Sequence, residues 1–391
     1  MIELDRVRAD TPGVAHRIHL NNAGAALMPR PVLDAMTAYL QREAEIGGYE
    51  AAGEVQPKLD AVYDSVARLI GANPDEIALT ENATVAWQMA FYSFSFRPGD
   101  RILTARAEYA ANYVAFLQIA KTHGIVIDVV PDDDNGVLDP AALEKMIDGR
   151  VRLIAITWVP TNGGLVNPAA EVGAIARKHN VPYLLDACQA AGQMPVDVGQ
   201  LGCDMLSAPG RKFLRGPRGT GFLYVRRALL QQLHPPMIDH FAAPWVAPDR
   251  YELRCDARRF ETWENNYAAR LGLGVAVDYA LALGLDDIEA RCRMLGDLLR
   301  NELGRLPGVH VHDLGLRPSA IVSFSMDGHD AAVVKAELAA ARINVTTSHA
   351  SSTLLDATAR ALPTVLRASP HYYNTEDELL QLVAYVRQLV A

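Results

Sequence analysis

Cysteine is scarce, with four residues in 391: Cys188, Cys203, Cys255 and Cys292. No two form a C-x-x-C pair and no histidine stands beside them at ligand spacing, so neither a zinc site nor a disulfide framework is expected. The thiols read as buried or incidental. Lysine and arginine total 37 against 46 acidic residues, a formal charge of −9, and the arginines cluster only in doublets such as Arg226-Arg227 and Arg258-Arg259. A chain without a basic stripe has nothing to neutralise a phosphate backbone, which argues against nucleic acid as a partner. Long apolar runs are missing as well. No stretch approaches the roughly eighteen residues of a membrane span, and the start, Met1-Ile2-Glu3-Leu4-Asp5, is acidic. A cytoplasmic protein without membrane contact is expected. There are no repeats, low-complexity tracts or Gly/Ser linkers.

What remains is an ordinary globular composition, 50% hydrophobic and 21% charged, in a chain too long for one small core. From residue 76 onward short β-branched runs alternate with helical patterns. Strands are expected at Glu76 to Thr80, Arg101 to Ala105, Ile125 to Val130 and Leu153 to Trp158, with helices starting at Thr84, Ala110, Asp139-Pro140 and Pro168. Such alternation predicts an α/β fold with a mostly parallel sheet covered by helices, whose ligands sit beyond the carboxyl ends of the strands. After residue 250 the pattern changes to long helices, Ala268 to Leu283 and Leu285 to Leu303, then strands at Ala320 to Met326 and Ile343 to Thr347. A large domain over 23–250 and a smaller α+β domain over 251–391 are expected. Residues 1–22 form an N-terminal arm in this reading, and 251–285 link back to the large domain.

The segment richest in chemistry is Leu184-Leu185-Asp186-Ala187-Cys188-Gln189, followed 26 residues after Asp186 by Lys212 in Pro209-Gly210-Arg211-Lys212-Phe213. An apolar strand that ends in Asp puts a carboxylate at the sheet's ligand edge. Pyridoxal 5′-phosphate (PLP) needs such a carboxylate to keep its ring nitrogen protonated, and one lysine to bond to it covalently and move a substrate proton. Lys212 and Asp186 are therefore the candidate catalytic residues. Glycines and Pro217 after the lysine fit a tight turn into the strand Phe222 to Val225.

With these motifs the sequence resembles the class V aminotransferases, a family of PLP fold type I that includes cysteine desulfurases, isopenicillin N epimerase and ergothioneine-pathway C–S lyases. The resemblance runs from His19-Leu20-Asn21-Asn22 to Tyr373-Asn374-Thr375. It implies a phosphate site at Glu81-Asn82-Ala83-Thr84, with Ala83 and Thr84 at a helix N-terminus worth ~1 kcal/mol to an anion. Thr84 is also suited to cap that helix. Tyr109 falls where the family stacks a ring on the cofactor, and Gln189 where it contacts the phenolic oxygen. Arg367 falls where the family binds the substrate carboxylate, a task that suits a guanidinium fork.

Departures from the family pattern are as informative. A phosphate-binding serine is replaced by Pro209, leaving Ser207 or Arg211 to substitute. A hydroxyl that reaches the partner subunit's phosphate is replaced by Glu264, which must point away or pair with a cation such as Arg270. The residue on the ring hydroxyl is Thr161 or Asn162. Asn22, Tyr49 and Asn266 complete the expected substrate contacts, and a homodimer is implied with 259–270 crossing between subunits.

Desulfurases of the family carry sulfur on a loop cysteine, whereas here Thr346-Thr347-Ser348-His349-Ala350-Ser351-Ser352-Thr353 has none. The segments 43–49, 264–270 and 369–375 resemble hercynylcysteine sulfoxide lyase. The resemblance thus implies β-elimination from a cysteine conjugate or its sulfoxide, a small amino-acid substrate. An epimerase, with His349, His371 or Tyr49 as a second acid, is the rival, alongside a desulfurase or aminotransferase. A PLP-fold scaffold without catalysis would not need Asp186, Lys212 and Arg367 together.

Overall fold

The computed structural model describes residues 2–390. Seven strands form the main sheet: β1 Ile77–Thr80, β2 Arg101–Thr104, β3 Val126–Val129, β4 Val151–Thr157, β5 Tyr183–Asp186, β6 Met205–Pro209 and β7 Gly221–Val225. Their order is β1-β7-β6-β5-β4-β2-β3. Only β7 runs antiparallel to its neighbours β1 and β6; the other pairs are parallel. The central strands β5, β6 and β7 are buried along their whole length, which is why they read as unbroken apolar runs rather than alternating ones.

Two cores result. On one face Ile102, Leu153, Leu184, Met205 and Leu223 pack with Trp87, Phe91 and Phe116, from the helices Ala83–Phe91 and Ala110–His123. On the other, Leu103, Ile154, Leu185, Leu206 and Phe222 meet Val172 and Ala176 of the helix Ala169–His179 and Val277 of the helix Tyr267–Leu283. That last helix also packs on the helices Arg30–Ile46 and Gly48–Ile70, so the stretch after residue 250 does return to the main sheet. Among the described residues no single helix is long and apolar enough to cross a membrane.

A second sheet is antiparallel throughout: β8 Val309–Val311, β9 Val322–Met326, β10 Thr346–Ser348 and β11 Val365–Ala368, in the order β8-β9-β11-β10. Leu295 and Leu299 from the helix Leu285–Gly304, and Leu382 and Val386 from the helix Glu376–Val390, cover it.

Two expectations change. The single strand expected at 343–347 is divided at Val345: Ile343–Asn344 pair in parallel with Ile18–His19 of the N-terminal stretch, while Thr346–Ser348 pair with β11. Two partners on different sides force the break. The helix expected from Thr84 begins at Ala83, and its cap is Asn82, whose side-chain oxygen accepts from Val85 N–H. Asparagine's short acceptor serves that position, and Thr84 lies inside the first turn.

Candidate active site

Strands β2, β4 and β5 end in Thr104, Thr157 and Asp186, and Ser207 lies midway along β6. In register, Thr157 stands opposite Asp186 and Asp186 opposite Ser207, so these polar side chains share the face that carries the helices Ala83–Phe91 and Ala110–His123. Asp186 is 3% exposed. Its Oδ1 accepts from the Cys188 N–H at 2.8 Å and its Oδ2 from Asn112 Nδ2 at 2.8 Å. The two donors satisfy and orient both oxygens of this buried carboxylate.

Beside it the first turn of the helix Ala83–Phe91 meets β7. At Gly221 a Cβ would lie 2.7 Å from the Asn82 carbonyl carbon and 2.9 Å from the Ala83 nitrogen. Only glycine allows the strand to come so near the helix N-terminus, where free N–H groups favour an anion.

Lys212 lies in the same pocket. Its amine makes no hydrogen bond among the described residues, and it is influenced by the charges of Cys188, Arg211, Asp186 and Arg367. Burial lowers its pKa, with Arg211 and Arg367 adding to the effect and Cys188 and Asp186 opposing it. A lysine kept from protonation is a better nucleophile and proton acceptor. Tyr109, at the N-cap of the helix Ala110–His123, is influenced by Cys188, Asp186, Arg211 and Arg367. Arg211 Nη1 donates to the Gly24 carbonyl at 2.9 Å.

Among the described residues nine buried side-chain polar atoms have no hydrogen-bond partner, and Gln189 Oε1, Ser207 Oγ and Arg367 Nε are three of them. Buried polar groups are rarely orphaned unless a ligand satisfies them. Together with the uncommitted Lys212 amine, these three fit a polar, anionic cofactor of the PLP kind. Gln189 Nε2 is fixed on the Ala23 carbonyl at 3.1 Å, leaving its oxygen free.

Arg367 is buried in β11, where burial brings its pKa down to about 10. Its Nη1 donates to the carbonyl and the hydroxyl of Thr161. Asn162 is tied elsewhere, to Ser348, to the His349 carbonyl and to Thr353 Oγ1 at 2.8 Å. Of the two residues the sequence left open, Thr161 is thus the one joined to Arg367. The thiol-free stretch 346–353 lies against Arg367, with Thr346 its register partner.

Several expected contacts fall in other places. Tyr49, 67% exposed, and Asn266 line a separate cavity of about 480 Å³ with Glu43, Glu50 and Glu264. Asn266 also caps the helix Tyr267–Leu283. Arg270 pairs not with Glu264 but with Glu261 at 2.9 Å, because Glu261 is the buried carboxylate that needs a cation. Asn22 donates to the Ser369 and His19 carbonyls and accepts from the Tyr373 hydroxyl, so both its amide hydrogens serve the fold. His371 is locked between the Phe213 carbonyl, 2.7 Å from Nε2, and Cys292 Sγ, 3.3 Å from Nδ1. Burial lowers its pKa far below the usual range. It cannot act as a second acid from there.

Sequence reasoning missed three features. Cys188 lies beside the candidate catalytic residues: burial raises its pKa well above the thiol range, and Asp186, Lys212 and Arg211 act on its thiol. Glu108 and Asn112 form a buried network with Asp186. Arg215, with φ of 61°, reaches the Leu27 carbonyl, Thr11 and the Tyr372 hydroxyl, fastening the loop after Lys212.

Known proteins share this architecture. A probable cysteine desulfurase of Methanothermobacter thermautotrophicus is 31% identical over 379 residues, 95% of this chain and 94% of that protein. The apo structure of a cysteine desulfurase from Thermococcus onnurineus superposes with a TM-score of 0.91 at 28% identity, covering 100% of this chain and 98% of the other. The cystine C–S lyase C-DES, solved with its product cysteine persulfide, gives a TM-score of 0.87 at 25% identity over 96% and 99%. The family model for class V aminotransferases matches residues 18–382, and this chain belongs to that family.

Proposed function

We propose that this class V enzyme is a carbon–sulfur lyase that eliminates sulfur from Cβ of a cysteine conjugate or its sulfoxide. Its cofactor is PLP, which when bound supplies a protonated ring able to take up the electron pair released at the substrate Cα. The residues of the chain do the rest. Arg367 pairs with the substrate carboxylate through the fork that Thr161 holds at one end. Asp186 keeps the proton on the ring nitrogen. Lys212 would hold the cofactor at rest through Nζ, and once the substrate amine takes its place there the freed Nζ would accept the Cα proton, a role its burial favours. The Cβ–S bond then breaks, its electron pair leaves with sulfur, and water converts the remaining three-carbon enamine to pyruvate and ammonia.

One observation carries this reading: no thiol is placed to receive sulfur. The stretch 346–353 beside Arg367 contains no cysteine. Cys188 is in the pocket, but it sits on a turn held by its own N–H to Asp186, and its pKa is raised. A protonated thiol on a fixed turn is a poor sulfur acceptor. The C–S lyase activity of C-DES supports the same reading. Cysteine desulfurase is the second reading, supported by the Methanothermobacter relative. An epimerase lacks its second acid at His371.

The products decide between them. Cysteine, cystine, S-substituted cysteines and their sulfoxides incubated in deuterated water are expected to give pyruvate labelled at C3, together with ammonia. Alanine as the sole product makes the enzyme a desulfurase; label only at Cα of recovered substrate makes it an epimerase. The variant with all four cysteines replaced is expected to stay active, and loss of activity in a folded Cys188→Ala protein would return the thiol to the mechanism.

A further inference from the structure

Glu108 joins β2 to the helix Ala110–His123, and it is buried. Five donors converge on its two oxygens. Oε1 accepts from Tyr109 N–H at 2.9 Å, from Asn112 Nδ2 at 2.8 Å and from the Thr157 hydroxyl. Oε2 accepts from Thr157 N–H at 2.9 Å and Thr104 Oγ1 at 3.2 Å. Donors crowd both oxygens, so an amide at this position would set its NH₂ against other N–H and O–H groups. A carboxylate is what the site requires.

Asn112 Nδ2 donates at the same time to Asp186 Oδ2. One amide group, with two hydrogens, therefore stands between two buried carboxylates and gives one hydrogen to each. Because Cys188 N–H holds the other oxygen of Asp186, that carboxylate is fixed at both ends.

We propose that Glu108 is a positioning residue of the cofactor pocket: through Asn112 it orients Asp186 toward the ring nitrogen, and through the Tyr109 N–H it sets the side chain that covers the ring. The role rests on the PLP assignment above and not on which substrate bond breaks. Asp186 is the titratable group that acts on Glu108, and Glu108 in turn helps to raise the pKa of the buried Tyr183. Burial, then Asp186, raises its pKa to about 7, against the opposing donors Thr157, Asn112 and Tyr109. Loss of charge at residue 108 is thus available at neutral pH, and it weakens the hold on Asn112.

The test uses full-length protein with PLP removed and restored. Glu108→Gln is expected to weaken PLP binding roughly tenfold, the effect of losing one charge-assisted hydrogen bond. It is also expected to reduce the visible circular dichroism of the bound cofactor and to flatten its change between pH 6 and 8. Asn112→Ala is expected to act in the same direction while leaving four donors on Glu108, and it carries the test alone if Glu108→Gln does not fold. A purely structural role lowers the melting temperature but leaves affinity and dichroism unchanged; folded variants that bind PLP within twofold of wild type, with the same visible spectrum, overturn the proposal. Wild-type protein that fails to bind PLP overturns the cofactor assignment as well.

Discussion

At the scale of single residues the site is a problem of charge in a dry place. Asp186 is buried, and the donors from Cys188 and Asn112 hold both of its oxygens in place. Asp186→Asn is expected to retain PLP yet lose about two powers of ten in rate, on the order of 3 kcal/mol, because an amide cannot keep the ring nitrogen protonated. Single-turnover kinetics on the reconstituted variant check this; a rate within a few-fold of wild type means the ring is held by other means. The pairing of Asp186 with Lys212 was readable from the sequence because each carries an unusual local signal, a carboxylate that ends an apolar strand and a lysine in a glycine-rich turn. Glu108 and Asn112 were not readable. A glutamate four residues before an asparagine at a helix start looks like a solvated turn, and only the meeting of β2, β4 and the helix buries both. Cys188 was hidden for a similar reason, since a turn residue has no periodicity to reveal which way it points.

At the scale of elements, period and turn chemistry placed six of the seven strands of the main sheet to within a residue or two and missed β6, Met205–Pro209. The stretch at 343–348 failed because a run of β-branched residues says that a strand is present, not how many partners it has. Its division gives Arg367 two neighbours, Thr346 and Ser323, across β10 and β9, and so a fixed position. The planar fork then matters more than the charge. Arg367→Lys is expected to raise KM for the amino-acid substrate between about ten- and a hundredfold with a smaller change in kcat, since the lysine keeps the charge but loses bidentate geometry and the bond to Thr161. Equal KM values for the two proteins would remove Arg367 from carboxylate binding.

At the scale of the whole molecule, one chain does not bring every expected contact together. Tyr49, Asn266 and Glu264 line a cavity of their own. We propose that a second copy is what brings this surface to the cofactor pocket, giving a homodimer of two-fold symmetry. Sedimentation velocity of the PLP-loaded protein is expected to show a dimer; a monomer with full cofactor occupancy contradicts it. Subunit assembly was beyond reach of strand and helix patterns because it is written in exposed residues, where periodicity carries no information.

The N-terminal stretch has a consequence for how the protein is made. Arg8 bonds the Tyr373 carbonyl and Glu378, Ile18 pairs with Ile343, and Asn22 holds the Ser369 carbonyl. This stretch must therefore wait for residues 343–378 to be made before it finds its place. Meanwhile Thr11 and the Leu27 carbonyl, which receive Arg215 and steady the loop after Lys212, belong to that waiting segment. A nascent chain can build the main sheet early, but the lysine loop is secured only once residues 372–378 are made, so a chain released short of residue 378 has its chemistry in sequence and not yet in place.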